Sequence, residues 1–140
     1  LPAFLVANPG VNSGMMIVQY VAASLCAENR QLAQPAVLDN YVTSGLQEDH
    51  LSMGTNAALK LHRALENCTQ ILAIEYLLAA QAFEFLKEQR FGAGTDAAWR
   101  LLRQRVPAYD QDRWLAPDIA AAAGVLKEPN LLRKALPNLN

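Results

Sequence analysis

Residues 58–86 read Ala58-Leu59-Lys60-Leu61-His62-Arg63-Ala64-Leu65-Glu66-Asn67-Cys68-Thr69-Gln70-Ile71-Leu72-Ala73-Ile74-Glu75-Tyr76-Leu77-Leu78-Ala79-Ala80-Gln81-Ala82-Phe83-Glu84-Phe85-Leu86. Within them Ala58, Leu61, Leu65, Cys68, Leu72, Tyr76, Ala79, Phe83 and Leu86 recur at steps of three or four, the spacing of one face of an α-helix. A second row, Ile71, Ile74, Leu78, Ala82 and Phe85, widens that face toward the C-terminal half. No proline interrupts the run, and Gly54 and Gly92 stand at its two margins. The spacing predicts one helix over 52–89, about 55 Å long at about 1.5 Å per residue. A globule of 140 residues has a radius of gyration of about 14 Å. A helix that long needs neighbours of comparable length, which points to a long-helix bundle, assembled as an oligomer.

Working outward, residues 35–53 hold no period. Pro35, Asp39-Asn40, Thr43-Ser44-Gly45 and Glu48-Asp49 make them a polar connection, longer than the loops that usually join helices and therefore a functional candidate. Upstream, Asn12-Ser13 can cap a helix expected over 14–33, which is apolar nearly all round in its first half and stops before Pro35. Residues 1–11, with Pro2, Pro9 and Gly10, read as an irregular lead-in. Downstream, Thr95-Asp96 can cap a short helix over 97–105, ended by Pro107. Residues 110–114 read as a turn, and Pro117-Asp118 opens an alanine-rich helix to about residue 127. Pro129 starts a last turn or short helix ending near Pro137. No strand-like alternation is visible, so the fold class is all-α. Residues 1–140 form a single helical segment, with a long-helix core over 1–89 and short helices over 90–140.

Composition narrows the function. Twelve Lys+Arg against 13 Asp+Glu leave a charge of −1 without a basic block, which argues against a nucleic-acid surface. The chain is 52% hydrophobic and 18% charged, so part of its apolar surface is expected to be covered by another subunit or by further chain. The longest strongly apolar stretch, 14–27, is broken by Gln19 and Ser24 and falls short of a membrane span. Cys26 and Cys68 are too few for a disulfide framework and suit a reducing, cytoplasmic setting. A first residue other than methionine suggests a piece of a longer chain.

Chemistry-bearing residues are sparse. Two histidines, His50 and His62, and no Cys-x-x-Cys pair leave a metal site unexpected. Glu48-Asp49-His50 are consecutive, and consecutive residues rarely converge on one ion. His62, between Lys60 and Arg63, reads as a surface or partner-facing residue. Asn67-Cys68-Thr69 matches a glycosylation acceptor but falls inside the expected helix. Asn12-Ser13-Gly14 and Thr43-Ser44-Gly45 lack the strand–turn–helix setting of a nucleophile elbow. Met15, Met16 and Met53 read as core filler.

One stretch carries more than composition does. Gln47-Glu48-Asp49-His50-Leu51-Ser52-Met53-Gly54 resembles a signature of the aromatic amino acid ammonia-lyases, most closely the histidine-type enzymes. Val11-Asn12-Ser13-Gly14-Met15-Met16-Ile17 and Ala27-Glu28-Asn29 resemble a core helix of that family. Ala73-Ile74-Glu75 with Ala79-Ala80-Gln81 is similar to its long helix, and Asp112-Arg113 with Ala116-Pro117-Asp118-Ile119 to its C-terminal tail. The resemblance implies the C-terminal part of a longer enzyme, a homotetramer that eliminates ammonia from L-histidine to give urocanate. It also implies a methylidene-imidazolone electrophile made from an internal Ala-Ser-Gly. That tripeptide does not occur in this sequence, so the 140 residues alone are expected to be inactive. Of the family's site, Glu48 is carried over as the catalytic residue and Gln47 as a substrate-side donor, with Ser44 a further substrate-binding candidate. The position of Glu48 is glutamine in the phenylalanine enzymes. A carboxylate can hold an ammonium or imidazole group, or accept a proton, and an amide cannot do the last. Asp49 and His50 are expected to fix the loop, for instance by capping the next helix. Leu46 departs from the asparagine usual in the family, which leaves open a lyase or aminomutase acting on another aromatic amino acid. A non-catalytic helical assembly fragment is the alternative class.

Overall fold

The long helix is present. In the computed structural model, which describes residues 1–38, 40–50, 52–86, 91–131 and 133, helix α2 runs unbroken over Gly54–Glu84, 31 residues and about 46 Å. The Phe85 N–H closes its last turn on the carbonyls of Ala82 and Phe83. Residues 87–89, expected to extend the helix, lie outside the described residues, as do Asp39, Leu51 and most of the expected terminal turn.

Helix α1, Met16–Leu32, lies antiparallel to α2. Along that seam the Lys60 ammonium donates to the Gln34 carbonyl, Arg63 Nε meets Glu28 at 2.9 Å and Asn67 Nδ2 donates to Asn29 Oδ1 at 2.9 Å. Asn67 is fully buried inside α2, which disposes of the glycosylation match. Helix α3, Ala93–Arg103, and helix α4, Ala116–Leu126, cover the C-terminal half of α2. Neither Thr95 nor Asp96 caps α3, which begins four residues earlier than expected; Asp96 instead pairs with Arg100 at 2.7 Å. Pro117 sits in the first turn of α4, where its missing N–H has no intrahelical partner to lose.

The core gathers where these helices meet: Val18 from α1, Ile74 and Leu77 from α2, Leu102 from α3 and Ala122 from α4. The lead-in is part of it, because Val6 is fully buried. Gln81, 1% exposed, joins the parts. Its Nε2 donates to the carbonyls of Leu5 (3.1 Å) and Tyr109 (2.7 Å), and its Oε1 accepts the Tyr109 N–H at 2.9 Å. A buried amide with its donors and acceptor used avoids the desolvation penalty of about 1–3 kcal/mol that an unpaired group carries.

The burial of α2 corrects the reading of its faces. Ala73, Ile74, Leu77, Ala80 and Gln81 point into this chain, whereas Leu61, Leu65 and Leu72 of the first apolar row are 60, 58 and 54% exposed. Periodicity reports that a face is apolar, not which partner covers it.

The start of α1 is a second correction. Neither Asn12 nor Ser13 caps it. The Ser13 and Gly14 N–H groups donate instead to the two carboxylate oxygens of Asp112, at 2.8 and 3.0 Å, and the Tyr109 hydroxyl donates to the same carboxylate at 2.8 Å. Gly14 is required there: its φ is +60°, and an added Cβ would stand 2.5 Å from the Phe4 carbonyl oxygen. The backbone N–H groups of Ser13 and Gly14, then the Tyr109 hydroxyl, hold the Asp112 carboxyl below its ordinary value. A carboxylate depressed on folding stabilises the fold above its unfolded pKa and loses that contribution as pH falls through the folded value. Asp112→Asn is therefore expected to lower the melting temperature at pH 7. The gap to the parent should narrow below about pH 4, where the unfolded Asp begins to bind its proton. Melting curves across that range check it.

The third correction is a small sheet. Val42–Thr43 (β1) and Glu48–Asp49 (β2) pair antiparallel, Val42 opposite Asp49 and Thr43 opposite Glu48. Two residues per strand are too few to show alternation. The architecture is otherwise the expected all-α arrangement.

Candidate active-site hairpin

The polar connection is organised around one tight turn. The Gln47 N–H donates to the Thr43 carbonyl at 3.2 Å, and the residues between them all have positive φ: Ser44 52°, Gly45 65° and Leu46 68°. Glycine adopts this conformation freely, while each L residue in it costs roughly 1–2 kcal/mol. Strain of this kind persists where the surroundings impose it, and it clusters at functional sites. The surroundings are on hand. Thr43 Oγ1 shares its one hydrogen between the carbonyls of Asp49 (3.2 Å) and Glu48 (3.4 Å), fastening the strand that carries Glu48. Asn40 Oδ1 accepts the N–H groups of Tyr41 (2.9 Å) and His50 (3.1 Å), closing the base of the hairpin. The Tyr41 and His50 rings meet edge to face with centroids 6.1 Å apart.

The structure brings two of the three expected site side chains together. Ser44 Oγ donates to Glu48 Oε2 at 3.1 Å, and both groups are solvent-exposed in this chain. Gln47 is adjacent in sequence and also exposed. Asp49 and His50 fix the loop through strand pairing and the Asn40 bridge, not as a helix cap. No side chain caps α2, whose N-cap residue is Met53 at φ 55°. The sequence places Asn40 and Thr43 only within the polar connection, with no bracing role for either, and gives no sign of Tyr41. A Thr and an Asn flanking a Gly-containing turn are the signal available, since both side chains readily bond nearby backbone.

The hairpin is not the largest hollow. A cleft of about 770 Å³ opens between α1, α2 and α4, lined by Ile17, Val21, Trp114 and Ile119 with Arg63 and Glu66 beside them. Arg63 and Glu66 are already paired there: Arg63 meets Glu28 at 2.9 Å and Glu66 at 3.5 Å. It reads as a helix-packing groove between α1, α2 and α4. Among the described residues no group of three or more His, Cys, Asp and Glu is placed to hold a metal, and no helix is long and apolar enough to cross a membrane.

Comparison with known proteins fits this geometry. A family model described as aromatic amino acid lyase matches residues 1–104. A histidine ammonia-lyase from Symbiobacterium thermophilum is 50% identical over 132 residues, covering 94% of this chain and 26% of that protein. The crystal structure of histidine ammonia-lyase from Trypanosoma cruzi superposes with a TM-score of 0.90 at 39% identity, covering 98% of this chain and 27% of that one. A tyrosine aminomutase from Streptomyces globisporus superposes at 0.84 with 38% identity, over 96% of this chain and 26% of that one. The chain spans about a quarter of the length of the relatives it matches. With its long central helix, its signature hairpin and these likenesses, the chain belongs to the aromatic amino acid lyase family.

Proposed function

We propose that these residues are the C-terminal part of a histidine ammonia-lyase-like enzyme that converts L-histidine to urocanate and ammonia. The observation that supports it most is the exposed Glu48 carboxylate, carried on strand β2 beside the turn of the hairpin that bears the signature residues. The reaction breaks the Cα–N bond and removes a proton from Cβ. Glu48 serves either by holding the substrate's ammonium or imidazole group or by accepting a proton, and Gln47 donates a hydrogen bond from the same corner. The methylidene-imidazolone of the family is not made from this chain. Of the two sequences ending Ser-Gly, Asn12-Ser13-Gly14 is locked to Asp112 and Thr43-Ser44-Gly45 forms the hairpin turn. Where the parent enzyme carries that ring, its precursor lies elsewhere in the longer chain.

We assign the assembly to a homotetramer in the cytoplasm, with the exposed Leu61, Leu65 and Leu72 face meeting other subunits. A second reading, an aminomutase or a lyase for another aromatic amino acid, draws on Leu46 and on the likeness to the tyrosine aminomutase. The test is to give the full-length enzyme L-histidine, L-tyrosine and L-phenylalanine in parallel. Urocanate absorbance from histidine, with no comparable product from the other two, is the expected result. β-Tyrosine or an aryl acrylate as the main product would favour the second reading.

A further inference from the structure

Two adjacent hydroxyls converge on Glu48. Thr43 Oγ1 bonds the Glu48 and Asp49 carbonyls, and Ser44 Oγ bonds Oε2 of the Glu48 side chain at 3.1 Å. The first fixes the main chain beneath the carboxylate and the second fixes the carboxylate itself. Ser44 reaches it from an unfavourable backbone, at φ 52°, beside Gly45 at φ 65°. A hydroxyl has one hydrogen. Given to Oε2, it is not available to donate to a substrate carboxylate, and a glutamate held at one oxygen presents the other in a fixed direction.

We propose that Ser44 is a positioning residue, holding Oε2 of Glu48 so that Oε1 faces the substrate. The proposal rests on the reading of Glu48 as the active-site carboxylate. An exposed glutamate side chain samples many rotamers, and restricting it raises the fraction in reactive geometry without changing how tightly substrate binds. The effect falls on kcat.

The test is a double-mutant cycle in the full-length enzyme. Ser44→Ala is expected to lower kcat about tenfold, the scale of one charge-assisted hydrogen bond, with KM little changed. In the Glu48→Gln background the same change should cause no further loss. Ser44→Gly, which relieves the left-handed backbone while removing the hydroxyl, should be as slow as Ser44→Ala, and circular dichroism should show the helices intact in each variant. Losses from Ser44→Ala and Glu48→Gln that multiply would overturn the proposal and leave Glu48 in place, as would wild-type turnover in Ser44→Gly. Full activity in Glu48→Gln alone would remove the reading of Glu48, and the proposal with it.

Discussion

Glu48→Gln in the full-length enzyme is expected to cut kcat by about 10²- to 10⁴-fold, the usual worth of a positioned general acid or base. The substitution keeps the side chain's size and its ability to accept the Ser44 hydrogen bond. It removes the negative charge and the proton acceptor. The side chain is solvent-exposed in this chain and takes no part in the buried core, so the fold should tolerate the change. Steady-state kinetics with circular dichroism and size measurement separate the cases. A large fall in kcat with helix content and assembly unchanged is the predicted outcome. If instead the Gln variant turns over at the parent rate, Glu48 is an ordinary surface carboxylate, worth well under about 1 kcal/mol.

A comparably large effect is expected on assembly from Leu65→Asp combined with Leu72→Asp. Leu65 and Leu72 are two turns apart on α2 and more than half exposed within this chain. Burying a leucine side chain against a partner stabilises by about 1.5–3 kcal/mol, and a carboxylate in its place must shed its hydration without a counter-charge. Repeated at each symmetric contact, the double substitution should convert the proposed tetramer into smaller species. Light scattering after size exclusion reads the mass directly, while far-ultraviolet circular dichroism should still show α2. An unchanged tetramer would mean that this face meets solvent, or the rest of its own chain.

The sequence made α2 legible because 31 residues average over many turns, so a few exposed leucines do not blur the period. Its division into an inner and an outer face was not legible. Leu65 and Leu77 are equally apolar, yet one is 58% exposed and the other 2%, and only neighbouring helices distinguish them. The hairpin escaped detection for the opposite reason. Two residues per strand carry no alternation, and its left-handed turn places Ser44 and Leu46 where propensity expects glycine or asparagine. Glu48 and Gln47 were found through their resemblance to a family signature, whereas the Ser44–Glu48 bond required coordinates. The cap of α1 was misread because local sequence offered Asn12 and Ser13, and the group that holds the helix start lies 99 residues further on, at Asp112.

That distance carries a consequence for synthesis. A ribosome adding about 5–20 residues per second needs about 5–20 s to move from Ser13 to Asp112. Throughout that interval the amides of Ser13 and Gly14 have no carboxylate to meet. Closing a loop of this size carries a chain-entropy cost that grows only slowly with length. Delay rather than entropy therefore sets the order of events on the nascent chain. The main-chain hydrogen bonds of α2 are local and need nothing downstream of it, whereas the start of α1 is secured only after the segment carrying Asp112 has emerged and docked.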